Sequence, residues 1–144
     1  MRGKAKKLLV LVLTLSLVAT FIAPLPVARG QEEPPDVVWV DDDWKEAGTG
    51  STVPVIGGTA TIGENATATI QDAINLVAAT GTVYVNTGTY IENLTISKPI
   101  NLIGVPDENG EKPVLRGTGE PNEGTTSVNV KLVAGSSGSV IDGL

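Results

Sequence analysis

Three consecutive aspartates, Asp41, Asp42 and Asp43, form the densest group of candidate metal ligands in the sequence. Ca²⁺ is a hard cation that takes several oxygen ligands, so this run of carboxylates suits a calcium site. The spacing differs from an EF-hand loop, because Lys45 occupies the third alternate position and no Gly or Glu follows at the required offsets. The competing interpretation is an acidic turn that closes a strand and discourages edge pairing. We predict the three aspartates as candidate Ca²⁺ ligands, with that alternative open.

The composition excludes several kinds of active site. The 144 residues contain no Cys and no His, which removes disulfides, thiolate or imidazole metal ligands, and a His-activated nucleophile. Asp142 is the only acid directly beside a late candidate strand, but sugar hydrolysis normally uses a pair of carboxylates. Asp142-Gly143 is also a common turn dipeptide. We predict no catalytic residue, and no cofactor other than Ca²⁺.

Residues 1–30 have the pattern of a targeting segment rather than of a folded domain. Met1–Lys7 carries four basic residues, and Leu8–Ile22 is an unbroken run of apolar or small residues. Two prolines and a pair of small residues then precede Gln31, as at a signal-peptidase site. The pattern predicts a secretory signal peptide and a secreted or cell-surface protein. An uncleaved signal anchor is the alternative, because the apolar stretch nearly suffices to span a bilayer.

The charge of the remaining chain restricts its partners. Without residues 1–30 the chain keeps five basic and sixteen acidic residues, a net charge of −11. Such an acidic chain lacks the excess of basic residues that would attract nucleic acid or an anionic membrane surface. It would also repel a polyanionic polymer unless Ca²⁺ intervened. We predict no nucleic-acid partner.

A single amphipathic helix is predicted over residues 69–79. Ile70, Ala73, Ile74 and Val77 recur at helical spacing and place one apolar face on the helix. Thr69 with Asp72 resembles a capping box, and Gly81 stands where a left-handed C-cap is expected. A helix this short must dock on another element to be stable.

Short β-forming runs separated by turns surround this helix. Residues 31–36 are acidic and Pro-rich and are predicted to be a linker, whereas residues 37–144 form the domain. Residues 37–40 have strand composition, residues 45–68 indicate a long loop with one or two weak strands, and six short strands are predicted after residue 82.

This order of features resembles a known family. The segments TIQDAI (69–74), GTVYV (81–85), GTYIENLTI (88–96) and KPINLIG (98–104) are similar to the N-terminal stretch of the pectin lyase-like superfamily. Pectinesterase-like, NosD-like and surface-layer-associated proteins of that superfamily open in this way, and VDDDW (40–44) looks like their first strand. The resemblance implies an all-β solenoid, a right-handed parallel β-helix, with one N-terminal capping α-helix.

The expected solenoid would contain only two to three rungs and no polar C-terminal cap. A solenoid needs about three or more repeats and a terminal cap. We therefore expect either a truncated β-helix or self-association through an open C-terminal rung.

Two functions follow from these expectations. The first is a secreted or cell-surface module that binds polysaccharide or cell-envelope glycan, or has a structural role, with no complete catalytic site. The second is the N-terminal part of a polysaccharide-active enzyme, pectinesterase-like or pectate lyase-like. The superfamily hosts both, so the resemblance alone does not choose between them.

Overall fold

The computed structural model describes residues 33–119 and 129–144. These belong to one unit of the chain, Glu32–Leu144. The predicted signal peptide, residues 1–30, and the first two residues of the predicted linker 31–36 lie outside the described ranges. None of the described helices is long and apolar enough to cross a membrane.

Short β-strands dominate the described residues. In addition to a 3₁₀ helix at Asp42–Glu46 and the α-helix α1 at Ile70–Leu76, eleven strands are formed within these ranges. They are β1 (Val37–Val40), β2 (Thr52–Val55), β3 (Gly58–Thr61), β4 (Ala66–Thr67), β5 (Thr82–Val85), β6 (Thr89–Ile91), β7 (Leu94–Ile96), β8 (Asn101–Gly104), β9 (Val114–Arg116), β10 (Val130–Leu132) and β11 (Val140–Asp142).

The strands pair in both directions. A five-stranded parallel sheet has the order β11-β8-β5-β1-β4, and β6 with β9 and β7 with β10 form two further parallel pairs. In contrast, β2 and β3 form an antiparallel hairpin around Ile56 and Gly57, where Gly57 has a φ of +86°. A positive φ is readily reached only by glycine, so this residue permits the tight connection.

The predicted all-β solenoid, a right-handed parallel β-helix truncated after two to three rungs, is wrong. Its strands were to pair only in parallel, whereas the structure mixes parallel and antiparallel sheets of short strands with one α-helix. The antiparallel hairpin arises from residues 52–61, which the sequence suggested were mostly loop. Short β-forming runs predict strands, but the partner and direction of each strand depend on contacts that composition does not encode.

The main core lies between the five-stranded sheet, α1 and β7. Inward-facing residues alternate along the strands, so Val38 stands level with Val83 and Leu102 in successive strands, and all three are fully buried. The helix residues predicted to face the core, Ile70, Ala73, Ile74 and Val77, are buried in the same cluster. A second, smaller cluster joins the β2–β3 hairpin to Trp39 and Trp44.

The helix begins as predicted and ends earlier. Thr69 is the N-cap, and its Oγ1 accepts a hydrogen bond from the Asp72 amide at 3.2 Å. The backbone becomes extended at Val77, so the helix is shorter than the predicted 69–79. The left-handed residue after it is Thr80, with a φ of +67°, rather than Gly81. Gly81 is needed for space instead, because a Cβ there would lie 2.7 Å from the Asp36 carbonyl oxygen.

A reciprocal clamp fastens the first turn of α1 to the chain around β7. The Glu92 carboxylate accepts hydrogen bonds from the amides of Ile70 and Gln71, at 2.8 and 3.0 Å. The Gln71 side chain in turn accepts from the Thr95 amide at 2.8 Å and donates to the Thr95 carbonyl at 3.3 Å. These contacts satisfy helix amides and strand groups that would otherwise lack partners.

Candidate functional site

The three predicted metal ligands lie together where β1 passes into the 3₁₀ helix. One carboxylate oxygen from each of Asp41, Asp42 and Asp43 lies within 4.8 Å of the other two, with Asp41 and Asp42 half-buried and Asp43 exposed. The Asp41 carboxylate accepts from the Asp43 amide at 3.0 Å, which caps the 3₁₀ helix. Lys45 lies 3.6 Å from Asp42 and offsets part of the negative charge. Within the described part of the chain, this acidic triad is the group of side chains that could hold a metal ion.

Asp41 also forms one wall of a cleft at the carboxyl ends of β1, β5 and β8. The Asp41 carboxylate accepts a hydrogen bond from the Asn86 side-chain amide at 3.1 Å, so the two polar groups hold each other in place. Ile56 at the hairpin tip and the loop after β8 both contribute to the lining of this cleft. The cleft has a volume of about 350 Å³ and is lined by Asp41, Ile56, Asn86, Thr87, Val105, Pro106, Asp107 and Glu108. We call it the Asp41–Asn86 cleft.

A stacked aromatic pair stands beside this cleft. Trp39 and Tyr84 are level with each other in β1 and β5, with ring centroids 4.8 Å apart and an angle of 27° between the rings. Each lies two residues before a cleft residue, Asp41 or Asn86, and therefore on the same face of the sheet, about 7 Å away. Both residues are half-buried, Trp39 also packs against the second hydrophobic cluster, and neither ring lines the cleft itself.

Tyr90 is a buried neighbour of Asp42. Its side chain is buried, and its hydroxyl donates to the Asn86 carbonyl at 2.9 Å. Burial raises the pKa of the Tyr90 hydroxyl, and the negative charges of Asp41 and Asp42 raise it further. The hydroxyl therefore stays protonated and supports the strand end that carries Asn86.

The other charged candidate is kept apart from the triad. Asp142 is exposed on β11, the edge of the sheet, while Asp41 follows β1. Two strands lie between β11 and β1, which corresponds to about 14 Å across the sheet. Asp142 and the triad therefore do not form a carboxylate pair for sugar hydrolysis.

Sequence reasoning missed Asn86 and Ile56 as site residues. Asn86 directly precedes Thr87-Gly88, a composition typical of a turn, yet its side chain reaches Asp41, 45 residues earlier. Ile56 is exposed at the tip of a hairpin that was not expected. The Gly57-Gly58 pair after an apolar run was the available signal for this turn.

No protein-family model, curated protein or solved structure matches this chain. The resemblance to the pectin lyase-like superfamily therefore remains a prediction that rests on the sequence segments alone. The site must be interpreted from its own chemistry.

Proposed function

We propose that this chain is an exported cell-surface module that binds a neutral glycan in the Asp41–Asn86 cleft without cleaving it. The observation that carries the proposal is the juxtaposition of a carboxylate–amide pair with a stacked Trp39–Tyr84 pair on one face of the sheet. Export is proposed from the leader pattern of residues 1–30.

The cleft supplies the polar half of sugar recognition. A sugar hydroxyl both donates and accepts hydrogen bonds, and Asp41 and Asn86 together offer acceptors and a donor. Because the two side chains already bind each other, they lose little conformational freedom when a ligand arrives. A few fixed polar groups within a mainly apolar concave site are typical of small-ligand recognition.

The aromatic pair supplies the apolar half. The CH-bearing face of a pyranose ring packs well on aromatic carbon, and aromatic side chains bury a large area with few rotatable bonds. Ile56 and Pro106 add apolar surface within the lining of the cleft.

The charge of the lining selects neutral ligands. The residues that line the cleft include the carboxylates of Asp41, Asp107 and Glu108 and no Lys or Arg. A uronic-acid polymer would bring its own carboxylates against these groups and would be repelled. The proposal therefore favours neutral hexose or pentose chains over polygalacturonate.

Calorimetric titration with defined oligosaccharides tests the proposal. Cello-, manno- and xylo-oligosaccharides and oligogalacturonate are the probes, in buffer without Ca²⁺, and we expect binding of at least one neutral chain and none of oligogalacturonate. Asn86→Ala and Ile56→Asp should each weaken that binding at least tenfold. Ile91→Asp is the matched control, because Ile91 is 66% exposed, against 69% for Ile56, and lies outside the cleft.

Three outcomes would overturn the proposal. One is that no neutral chain binds at millimolar concentration. The second is the release of shortened or de-esterified sugars from any probe, which would instead support the polysaccharide-active alternative. The third is an equal loss of binding in Ile56→Asp and Ile91→Asp, which would remove the cleft as the site.

We further propose that the acidic triad takes up Ca²⁺. Three carboxylates within 4.8 Å of one another repel, and a divalent cation with oxygen ligands relieves that repulsion. A cation that binds only the folded chain raises its unfolding temperature as the cation concentration increases. CaCl₂ should therefore stabilise the wild type and not Asp42→Asn/Asp43→Asn, and an equal response of both proteins would contradict the site.

A further inference from the structure

The loop between β8 and β9 is organised by one aspartate. The Asp107 carboxylate accepts hydrogen bonds from the amides of Asn109 and Glu111, at 2.9 and 2.8 Å. It also accepts from the side-chain Nδ2 of Asn109 at 3.2 Å. The Asp107 carbonyl accepts from the Gly110 amide at 3.0 Å, and Gly110 has a φ of +83°. Asp107 thus holds both Asn109 and the amide that follows it.

Asn109 is the one asparagine in the sequence that is followed by glycine. The side chain is exposed, so water reaches it freely. Glycine has no Cβ to hinder its own backbone nitrogen, and it gives the backbone the freedom to bring that nitrogen to the preceding side chain. These are the conditions for attack of a backbone nitrogen on a side-chain amide.

We propose that Asn109 is the site of spontaneous deamidation in this chain and that the hydrogen bonds of Asp107 lower the rate of this reaction. The Gly110 nitrogen loses its proton to solvent base and bonds to Cγ of Asn109, and Nδ2 leaves as ammonia. Water then adds to one carbonyl of the five-membered succinimide, and one C–N bond breaks. The product is aspartate or isoaspartate, and nothing is oxidised or reduced.

The hydrogen bonds of Asp107 explain why the folded loop should react slowly. Attack requires the Gly110 N–H to leave the Asp107 carbonyl and the Asn109 side chain to leave the Asp107 carboxylate. In the folded loop, both the Gly110 N–H and the Asn109 side chain are therefore hydrogen-bonded to Asp107 instead of being free to react. Removing the Asp107 carboxylate frees the Asn109 side chain and both amides that the carboxylate holds.

The product would not fit the present loop. A carboxylate at position 109 would replace an Nδ2 donor that lies 3.2 Å from Asp107, and like charges at that distance repel. Since Asp107 and Glu108 line the Asp41–Asn86 cleft, the reaction would alter the wall and charge of that cleft. Deamidation would thus act on the exported protein as it ages.

The test follows the conversion by peptide mapping with mass spectrometry during incubation of the whole chain at mildly alkaline pH. We expect conversion at Asn109 to exceed that at Asn86 and Asn101, and Asp107→Ala to accelerate it several-fold. Asn109→Gln is the control, because the longer side chain closes a less favourable ring. Circular dichroism checks that the variants fold, which the exposure of this loop favours.

Each other outcome counts against the proposal. If Asn109 stays intact in both the wild type and Asp107→Ala, it is not the reactive residue. If Asn109 converts at the same rate in both proteins, Asp107 does not slow the reaction. Incubation of the wild type in urea gives the rate of deamidation without the folded loop. A rate equal to that of the folded wild type would show that the loop does not slow the reaction.

Discussion

Glu92 and Lys98, on either side of β7, bind opposite ends of α1 with charges that match the polarity of the helix. The Glu92 carboxylate binds amides of the first turn, and the Lys98 ammonium donates to the carbonyls of Asn75 and Val77. Aligned peptide dipoles leave the N-terminus of a helix partly positive and its C-terminus partly negative, so both contacts are favourable. One short stretch of chain therefore fixes both ends of a helix of only seven residues.

Glu92→Gln should destabilise the chain through this contact. The amide group of Gln would direct an N–H donor at a backbone N–H, and a charge-assisted hydrogen bond is worth about 1.5–3 kcal/mol. Half-burial weakens the effect, so we expect a loss of about 1 kcal/mol in the free energy of unfolding, measured by urea denaturation. Glu64→Gln is the control, because Glu64 is exposed and makes no side-chain hydrogen bond among the described residues. Equal stabilities for the two variants would contradict the clamp.

Thr80→Gly should stabilise the chain, unlike most replacements by glycine. Thr80 has a φ of +67°, a conformation that costs a β-branched residue about 1–2 kcal/mol, whereas the flexibility of glycine costs about 0.5–1 kcal/mol. We expect the free energy of unfolding, measured by thermal denaturation, to rise by about 0.5 kcal/mol. The neighbouring exposed Ala79 has no positive φ, so Ala79→Gly should lower stability. A loss in both variants would show that Thr80 is not strained.

The loop around Asp107 should loosen in acid. Hydrogen bonds, the largest from the Glu111 amide, hold the pKa of the Asp107 carboxyl below its ordinary value of 3.8. The stabilising effect of a carboxyl with a lowered pKa is present above the ordinary value and is lost as pH falls through the folded-state pKa. We expect the Asn109 and Glu111 amide NMR signals to keep their positions above pH 3.8 and to move below it. Asp107→Ala should abolish that transition.

Self-association through the strands β9, β10 and β11 remains a prediction. Within residues 33–119 and 129–144, each of them pairs with another strand on one side only, and Val114, Leu132, Val140 and Ile141 on these strands are exposed. Unpaired strand edges with apolar side chains favour association with another chain. We expect concentration-dependent dimers by analytical ultracentrifugation, and Leu132→Lys/Val140→Lys should return the chain to monomer. Ile56→Lys, at the hairpin tip outside these strands, should leave association unchanged, and a monomeric wild type at high concentration would contradict the prediction.

Local features were predictable from sequence, and distant partnerships were not. The Thr69–Asp72 cap and the buried face of α1 depend on residues a few positions apart, so their spacing identified them. The Glu92 contact joins residues 22 positions apart, and nothing in its neighbourhood marks Glu92 as a helix cap. The role of Gly81 was misjudged for the same reason, because the carbonyl that excludes a side chain there belongs to Asp36. Likewise, the acidic triad was visible in the sequence, but the cleft required Asn86 and an unexpected hairpin.

The position of β1 within the five-stranded sheet has a consequence for how the chain folds. Although β1 is the first strand described, it pairs with β4 on one side and β5 on the other. During synthesis, which delivers the N-terminal side first, the strand that carries Val38 and Val40 is not enclosed until the chain as far as Val85 has been made. Such non-local pairing slows folding and leaves an apolar strand open to wrong partners in the interval. A chaperone that holds this strand until residue 85 emerges would therefore raise the yield of folded protein.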